Sequence, residues 1–193
     1  MDVTSYLLGK NASSGGGGAD EYFESTQSGN FGNAFTFGAR FLKTIPKVEI
    51  TKPNFNYAFY NYENLITIPQ LDTSAVIMMS FAFQGCTSLV SVPLLNTSNV
   101  TSFSNTFNGC TSLTTVPAFD ASKVTNFDNM FNNCRQLTDE SLNNILKMCI
   151  SATSYAGVKS LGALAMSGNY SAAKIQSLPS YQDFVNAGWT IGW

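Results

Sequence analysis

Apolar residues recur along the middle of the chain at one fixed offset. Leu89, Leu113 and Leu137 lie 24 residues apart, and so do Phe83, Phe107 and Phe131. The same step carries Ile68 to Val92 to Val116, Pro69 to Pro93 to Pro117, and Val76 to Val100 to Val124. Between them Ser74, Ser98 and Ser122 repeat at a polar position, and a fainter copy, "FLKTIPKVEI", sets Leu42 and Pro46 23 residues before Leu65 and Pro69. A fixed period of roughly 20–30 residues marks a stacked repeat array. Within one repeat, "SLTTVP" is β-branched and stops at a proline, which predicts a short strand. The following D/N-T/A-S stretch is turn chemistry, "VTNF" predicts a second short strand, and "DNMFNNC" predicts one helical turn that throws its Phe inward. The apolar side chains of one repeat bury too little to offset the ordering of its backbone, so each repeat needs neighbours. The expected fold is a leucine-rich-repeat-like solenoid over residues 42–137, built of 24-residue coils with short parallel β-strands plus helical turns.

After Leu137 the pattern changes to a helical one. Thr138 and Asp139 offer an N-cap, and Leu142, Ile145, Leu146 and Cys149 fall at i, i+3, i+4 and i+7. A second short helix is expected over Ser171–Leu178. A third is expected from Ser180, with Asp183 as its capping-box partner, to Gly188. "GWTIGW" reads as a terminal strand whose Trp189 and Trp193 pack on the helices. Residues 138–193 are thus expected to form a C-terminal helical cap with a terminal strand, closing the exposed end of the array. Upstream, "NASSGGGG" is a flexible linker by composition. It separates a small apolar cluster, Val3, Tyr6, Leu7 and Leu8, from the body, so residues 1–18 read as a docking peptide on a tether. The aromatic-rich residues 19–41 are expected to form an irregular N-terminal cap.

The cysteines obey the repeat. Cys86, Cys110 and Cys134 share one slot, with Tyr62 one step earlier. Stacked as strands are, they would lie ~4.8 Å apart, forming a structural ladder of buried thiols that pack as small hydrophobes. A disulfide between neighbours is geometrically conceivable, but three in a row cannot all pair. A metal site would need a fourth ligand, and none repeats with them. Cys149, on the apolar face of the first helix, reads as core.

Composition narrows the function. Only 11% of the residues are charged, against about 25% in ordinary globular proteins. Ser, Thr and Asn supply 59 of the 193 residues, so the surface is neutral and rich in hydroxyls and amides. Outward hydroxyls flanking the strands, Ser91, Thr101, Thr115 and Thr125, are the candidate surface-binding residues. A net charge of −2 gives no basis for holding a phosphate backbone, which argues against nucleic acid as a partner. The absence of histidine removes Ser-His and Cys-His nucleophile pairs and the usual zinc ligands. No apolar run approaches the ~20 residues that span a bilayer, and "MDVTSYLLGK" has no basic start or apolar run of secretory type. The chain therefore reads as made in the cytoplasm, with no membrane partner. The sharpest catalytic reading concerns Asp72, Asn96 and Asp120 in one slot. Asp72 and Asp120 would sit ~10 Å apart, just beyond the ~6.5–9.5 Å of inverting glycosidases. The plainer reading is that each caps its own turn, which explains Asn96 equally well. No catalytic residue, metal or cofactor is expected.

"NTSNVTSFSNTFNGC" at Asn96–Cys110 resembles the BspA-like leucine-rich repeat, closest to the variant "DTSNVTNMSNMFNGC". The resemblance spans about Leu42 to Leu137. It implies a surface scaffold for adhesion or recognition, of the kind found on bacteria and in phage proteins, and it carries no shared catalytic residues. "MDVTSYLLGK" with its glycine run is similar to the opening of structural proteins in phages of gut Firmicutes. The tail "LTDESLNNILKMCISATSYAG…YQDFVNAGW" resembles the closing module of such proteins. The resemblance implies a non-enzymatic virion structural protein, a head or tail fibre or appendage. Its N-terminus would join capsid, portal or tail proteins, and its repeats would face a host-surface glycan or protein; a homo-oligomer is compatible with this. The alternatives are a bacterial cell-surface adhesin and, third, a glycan depolymerase. An adhesin must be exported and nothing here reads as an export signal, so the virion is the expected location.

Overall fold

The structure, a computed structural model, describes residues 23–24, 43–44, 48–50, 53–166 and 169–192. The docking peptide (Val3, Tyr6, Leu7, Leu8), the glycine linker, all of the 19–41 segment except Phe23–Glu24, and Trp193 lie outside the described residues.

Two short strands, β1 (Phe23–Glu24) and β2 (Val48–Glu49), pair in parallel. From there the repeats are joined by parallel bridges one period apart. One column runs Thr44, Thr67, Ser91, Thr115, and another runs Asn54, Met78, Ser102, Asn126. The strands expected at "SLTTVP" and "VTNF" shrink to these single-residue bridges. In the first column the proline two residues on (Pro93, Pro117) has no N–H and ends the ladder.

The segment expected as a helical turn is different in kind. Tyr57, Phe81, Asn105 and Asn129 have φ of 59°, 62°, 55° and 56°. Four residues later Asn61, Gly85, Gly109 and Asn133 are again left-handed, at 59°, 74°, 78° and 63°. A right-handed helix cannot pass through such positions. Alternate amides reach the next repeat instead, as in Asn105 to Asp128 (2.8 Å), Phe107 to Met130 (3.0 Å) and Gly109 to Asn132 (2.8 Å), each donating N–H to a carbonyl. The amides between them close turns within the repeat, such as Asn108 onto Asn105 (3.2 Å).

The recurring apolar slots line the core. Leu65, Leu89 and Leu113 are fully buried, as are Val76, Val100 and Val124. Phe59, Phe83, Phe107 and Phe131 stack face to face at 5.5, 5.7 and 5.7 Å between successive ring centroids. Phe107 is the centre of this column and also stacks on Phe119 at 6.1 Å. Phe107→Ala should lower the unfolding free energy by about 3–5 kcal/mol, read from urea titration. Leu94→Ala, at a side chain 61% exposed, should change it by about 0.5 kcal/mol or less. Equal losses from the two would show that the phenylalanine column is not the core.

The last repeat has no following repeat to receive its polar backbone, and the C-terminal residues take that place. Helix α1 (Asp139–Ser151) starts on Thr138, whose hydroxyl accepts from the Ser141 N–H, and buries Leu142, Ile145, Leu146 and Cys149. Where Val92 N–H donates to the Thr115 carbonyl, Val116 N–H donates to the Ser141 hydroxyl (2.9 Å). Ala121 N–H likewise donates to Ser151 Oγ (3.0 Å). Segment 160–166 then supplies another rung, with Asn129 and Phe131 donating to the Ala163 and Leu164 carbonyls. Tyr170 clasps the junction: its hydroxyl donates to the Cys134 carbonyl and accepts from the Leu137 N–H, both at 2.8 Å. Helices α2 (Ala172–Gln176) and α3 (Tyr181–Asn186) follow. The capping box expected at Ser180 does not form. Ser180 has φ −86° and ψ 6°, not the extended backbone that turns a side chain onto the helix, and makes no side-chain cap bond. Its N–H donates to Asn143 Oδ1 instead. The terminal strand is one bridge, Ser160 with Thr190. Trp189 is buried, stacked on Tyr155 at 5.4 Å with Phe127 edge-on at 6.0 Å.

Candidate functional site

The four candidate surface hydroxyls fall into two columns. Ser91 and Thr115 are bridge partners, the first half-buried and the second exposed. Thr101 and Thr125 form the other pair, and the fold uses their hydroxyls. Thr101 Oγ1 donates to the Ile77 carbonyl (3.1 Å) and Thr125 Oγ1 to the Thr101 carbonyl (3.2 Å). With the donor committed, each hydroxyl offers only lone pairs to a ligand. The outer face is also less uniform than the composition implies. Its earlier rungs expose Ile66, Val90, Ile77 and Met78, where later rungs carry Thr114, Thr101, Thr125 and Ser102.

Asp72, Asn96 and Asp120 are exposed turn formers. Each side-chain oxygen accepts the N–H two residues on, at Ser74 (3.0 Å), Ser98 (3.2 Å) and Ser122 (2.8 Å). These bonds hold both carboxyls below their ordinary range, at Asp72 mainly through the Ser74 hydroxyl and at Asp120 mainly through the Ser122 amide. A general acid needs the opposite shift.

Cys86, Cys110 and Cys134 are free and fully buried. Each thiol donates to a phenylalanine carbonyl of the preceding repeat, Phe59 (3.2 Å), Phe83 (3.1 Å) and Phe107 (3.1 Å). Sequence reasoning missed this partner, because a spacing of 24 does not say which carbonyl a thiol meets. Desolvation pushes Cys86 and Cys134 up to about 12, and Cys110 well above its ordinary value. Among the described residues no group of three or more His, Cys, Asp or Glu is placed to hold a metal ion, and no helix is long and apolar enough to cross a membrane.

The sequence reading passed over a further column, at the left-handed turn. Asn61, Gly85, Gly109 and Asn133, with Glu63, Thr87, Thr111, Arg135 and Gln136 beside them, line a groove of about 580 Å³. Its signal is glycine or asparagine at one slot of successive repeats, inside the segment expected as a helical turn.

Residues 53–157 match the family model described as "Mycoplasma protein of unknown function, DUF285". That family is associated with BspA-like repeat surface proteins. No curated protein and no solved structure matches the chain.

Proposed function

The chain belongs to the DUF285 family, and on that premise we propose that it is a non-enzymatic display protein of a phage virion, a head or tail fibre or appendage. Its body is proposed to be a leucine-rich-repeat-like solenoid of 24-residue coils closed by a C-terminal helical cap. The observation that carries the display reading is where the polar side chains go. Asp72, Asn96 and Asp120 close their own turns, and Thr73 and Thr97 donate to the Asn96 and Asp120 carbonyls of the next repeat. What the two bridged faces leave outward is a neutral surface of hydroxyl, amide and apolar side chains rather than a converging set of acids and bases. A glycan depolymerase working through Asp72 and Asp120 is disfavoured on the same ground, since both carboxyls are held ionised by their turns.

The virion location is supported by the likeness of the chain's two ends to phage structural proteins. In this reading Val3, Tyr6, Leu7 and Leu8 dock on a capsid, portal or tail protein. By composition "NASSGGGG" is a linker sequence, and roughly eight residues of such composition span ~15–17 Å. Burying four such side chains contributes ~6–10 kcal/mol before ordering costs, and several copies on a symmetric site gain further through effective concentration. The family's description as a Mycoplasma protein favours a second reading, a bacterial cell-surface adhesin with the same repeats.

Removal of residues 1–18 should leave a cooperatively folding protein that is lost from purified particles. Tyr6→Ser with Leu7→Ser should have most of the same effect, read as copy number by quantitative mass spectrometry. Truncated protein at normal copy number would place the anchor elsewhere. Full-length protein on the bacterial envelope and not on particles would select the adhesin.

A further inference from the structure

The groove at the left-handed turn is a built feature of four successive repeats, and its volume of about 580 Å³ lies within the roughly 300–1,000 Å³ of ligand sites. We propose that it binds an acidic oligosaccharide, whose hydroxyls donate to Thr87, Thr111 and Glu63 and whose carboxylate pairs with Arg135.

The floor is the slot of Asn61, Gly85, Gly109 and Asn133, where every backbone φ is positive. Asparagine and glycine are the residues that tolerate this conformation. The outer two repeats use asparagine and the inner two use glycine. Crowding explains one glycine only. A Cβ at Gly85 would collide with Asn61 Oδ1, whereas a Cβ at Gly109 would meet nothing nearer than the Gly85 backbone at 3.7 Å. Asparagine holds the same slot at 61 and 133, yet the middle of the groove is left open.

The wall selects the ligand. Thr87 Oγ1 donates to the Glu63 carbonyl and Thr111 Oγ1 to the Thr87 carbonyl, both at 3.3 Å. The Gly85 and Gly109 amides are committed to the Asn108 and Asn132 carbonyls, both at 2.8 Å. The middle of the groove therefore accepts hydrogen bonds and does not donate them. In the middle an extended peptide would set carbonyls against groups with no donor left, and a phosphate would find no free backbone amide there; the side-chain amides of Asn61, Asn133 and Gln136 lie toward the ends. A sugar hydroxyl can turn its proton inward. The two ends are charged and opposite, with Glu63 and Arg135 three rungs apart, ~14 Å at the spacing of paired strands. Arg135 donates to Asn133 Oδ1 (3.2 Å), and among the described residues it forms no ion pair with a carboxylate; Lys174 with Asp139 is the pair that forms. Its guanidinium is available for bidentate capture of a ligand carboxylate.

The test is calorimetric titration of the full chain with short oligomers of galacturonic acid, their uncharged galactose counterparts, and a zwitterionic tetrapeptide. The acidic oligomer should bind at least about tenfold tighter than the uncharged one, and Arg135→Gln should erase that difference. Gly109→Asn, an exchange between the two residue types found at this slot, should weaken both sugars by about tenfold or more while its cysteines stay protected from thiol reagents. Leu94→Ala and Val158→Ala, at exposed side chains that do not line the groove, should bind as the parent does. Parent-like binding by Gly109→Asn or Arg135→Gln, tighter binding of the peptide, or no binding of any galacturonate oligomer would overturn the proposal. Particle incorporation, scored separately, tells failure of this site from failure of the display role.

Discussion

Native protein should leave Cys86, Cys110, Cys134 and Cys149 unmodified by a maleimide over a period in which the denatured chain reacts at all four. Two effects multiply. All four side chains are fully buried, so the reagent meets them only through opening of the stack. Desolvation also pushes the Cys86 and Cys134 thiols up to about 12. The thiolate is the nucleophile, and at neutral pH such a thiol carries roughly three orders of magnitude less of it than a free cysteine. Cys110 is raised by desolvation first and by its neighbours Cys86 and Cys134 second; Cys149 is raised by desolvation. The same shifts bear on alkaline stability. Each thiol holds its proton in the folded chain to a higher pH than the ordinary value of 9.0, so above that value the unfolded state binds fewer protons. Stability is then complete below about pH 8.5–9 and falls as pH rises toward the folded value, by up to about 1.4 kcal/mol per thiol per pH unit. Fast labelling of two or more cysteines in native protein would remove the ladder from the account.

How the chain announces its structure depends on what kind of residue each position needs. Slots that face the core accept only apolar side chains of similar volume, so Leu89 and Leu113, or Phe83 and Phe107, recur without substitution. The sign of φ leaves a weaker mark. Asn105, Gly109, Asn129 and Asn133 hint at a left-handed turn, but Tyr57 and Phe81 hold the same conformation with side chains that give no such hint. The segment therefore looks helical in sequence. Bridges one residue long are equally hard to foresee, because β-branched runs report strand propensity and not where a proline ends pairing.

The join between the last repeat and the C-terminal residues was partly readable. Thr138 and the spacing of Leu142, Ile145, Leu146 and Cys149 mark helix α1, since a cap and a 3.6-residue period are local signals. Segment 160–166 carries no copy of the repeat, yet it meets the Asn129 and Phe131 amides as a following repeat would. Backbone pairing needs no side-chain signature. The groove stayed hidden for a related reason. Its glycines suit the turn, as asparagine does at 61 and 133, and only the space around Gly109 sets that position apart.

The central claim is that the body is a stack of interchangeable 24-residue units held in register, and deletion tests it most directly. Removing residues 87–110 rejoins Cys86 to Thr111 and restores the repeat, one rung shorter. Removing residues 87–98 takes out half a period and sets every later core slot out of line. The full-period deletion should unfold in one cooperative urea transition with a smaller m-value, its remaining cysteines protected. The half-period deletion should show no such transition and should label at once. If the two deletions behave alike, both folded or both unfolded, the units are not interchangeable rungs and the stacked-repeat account is wrong.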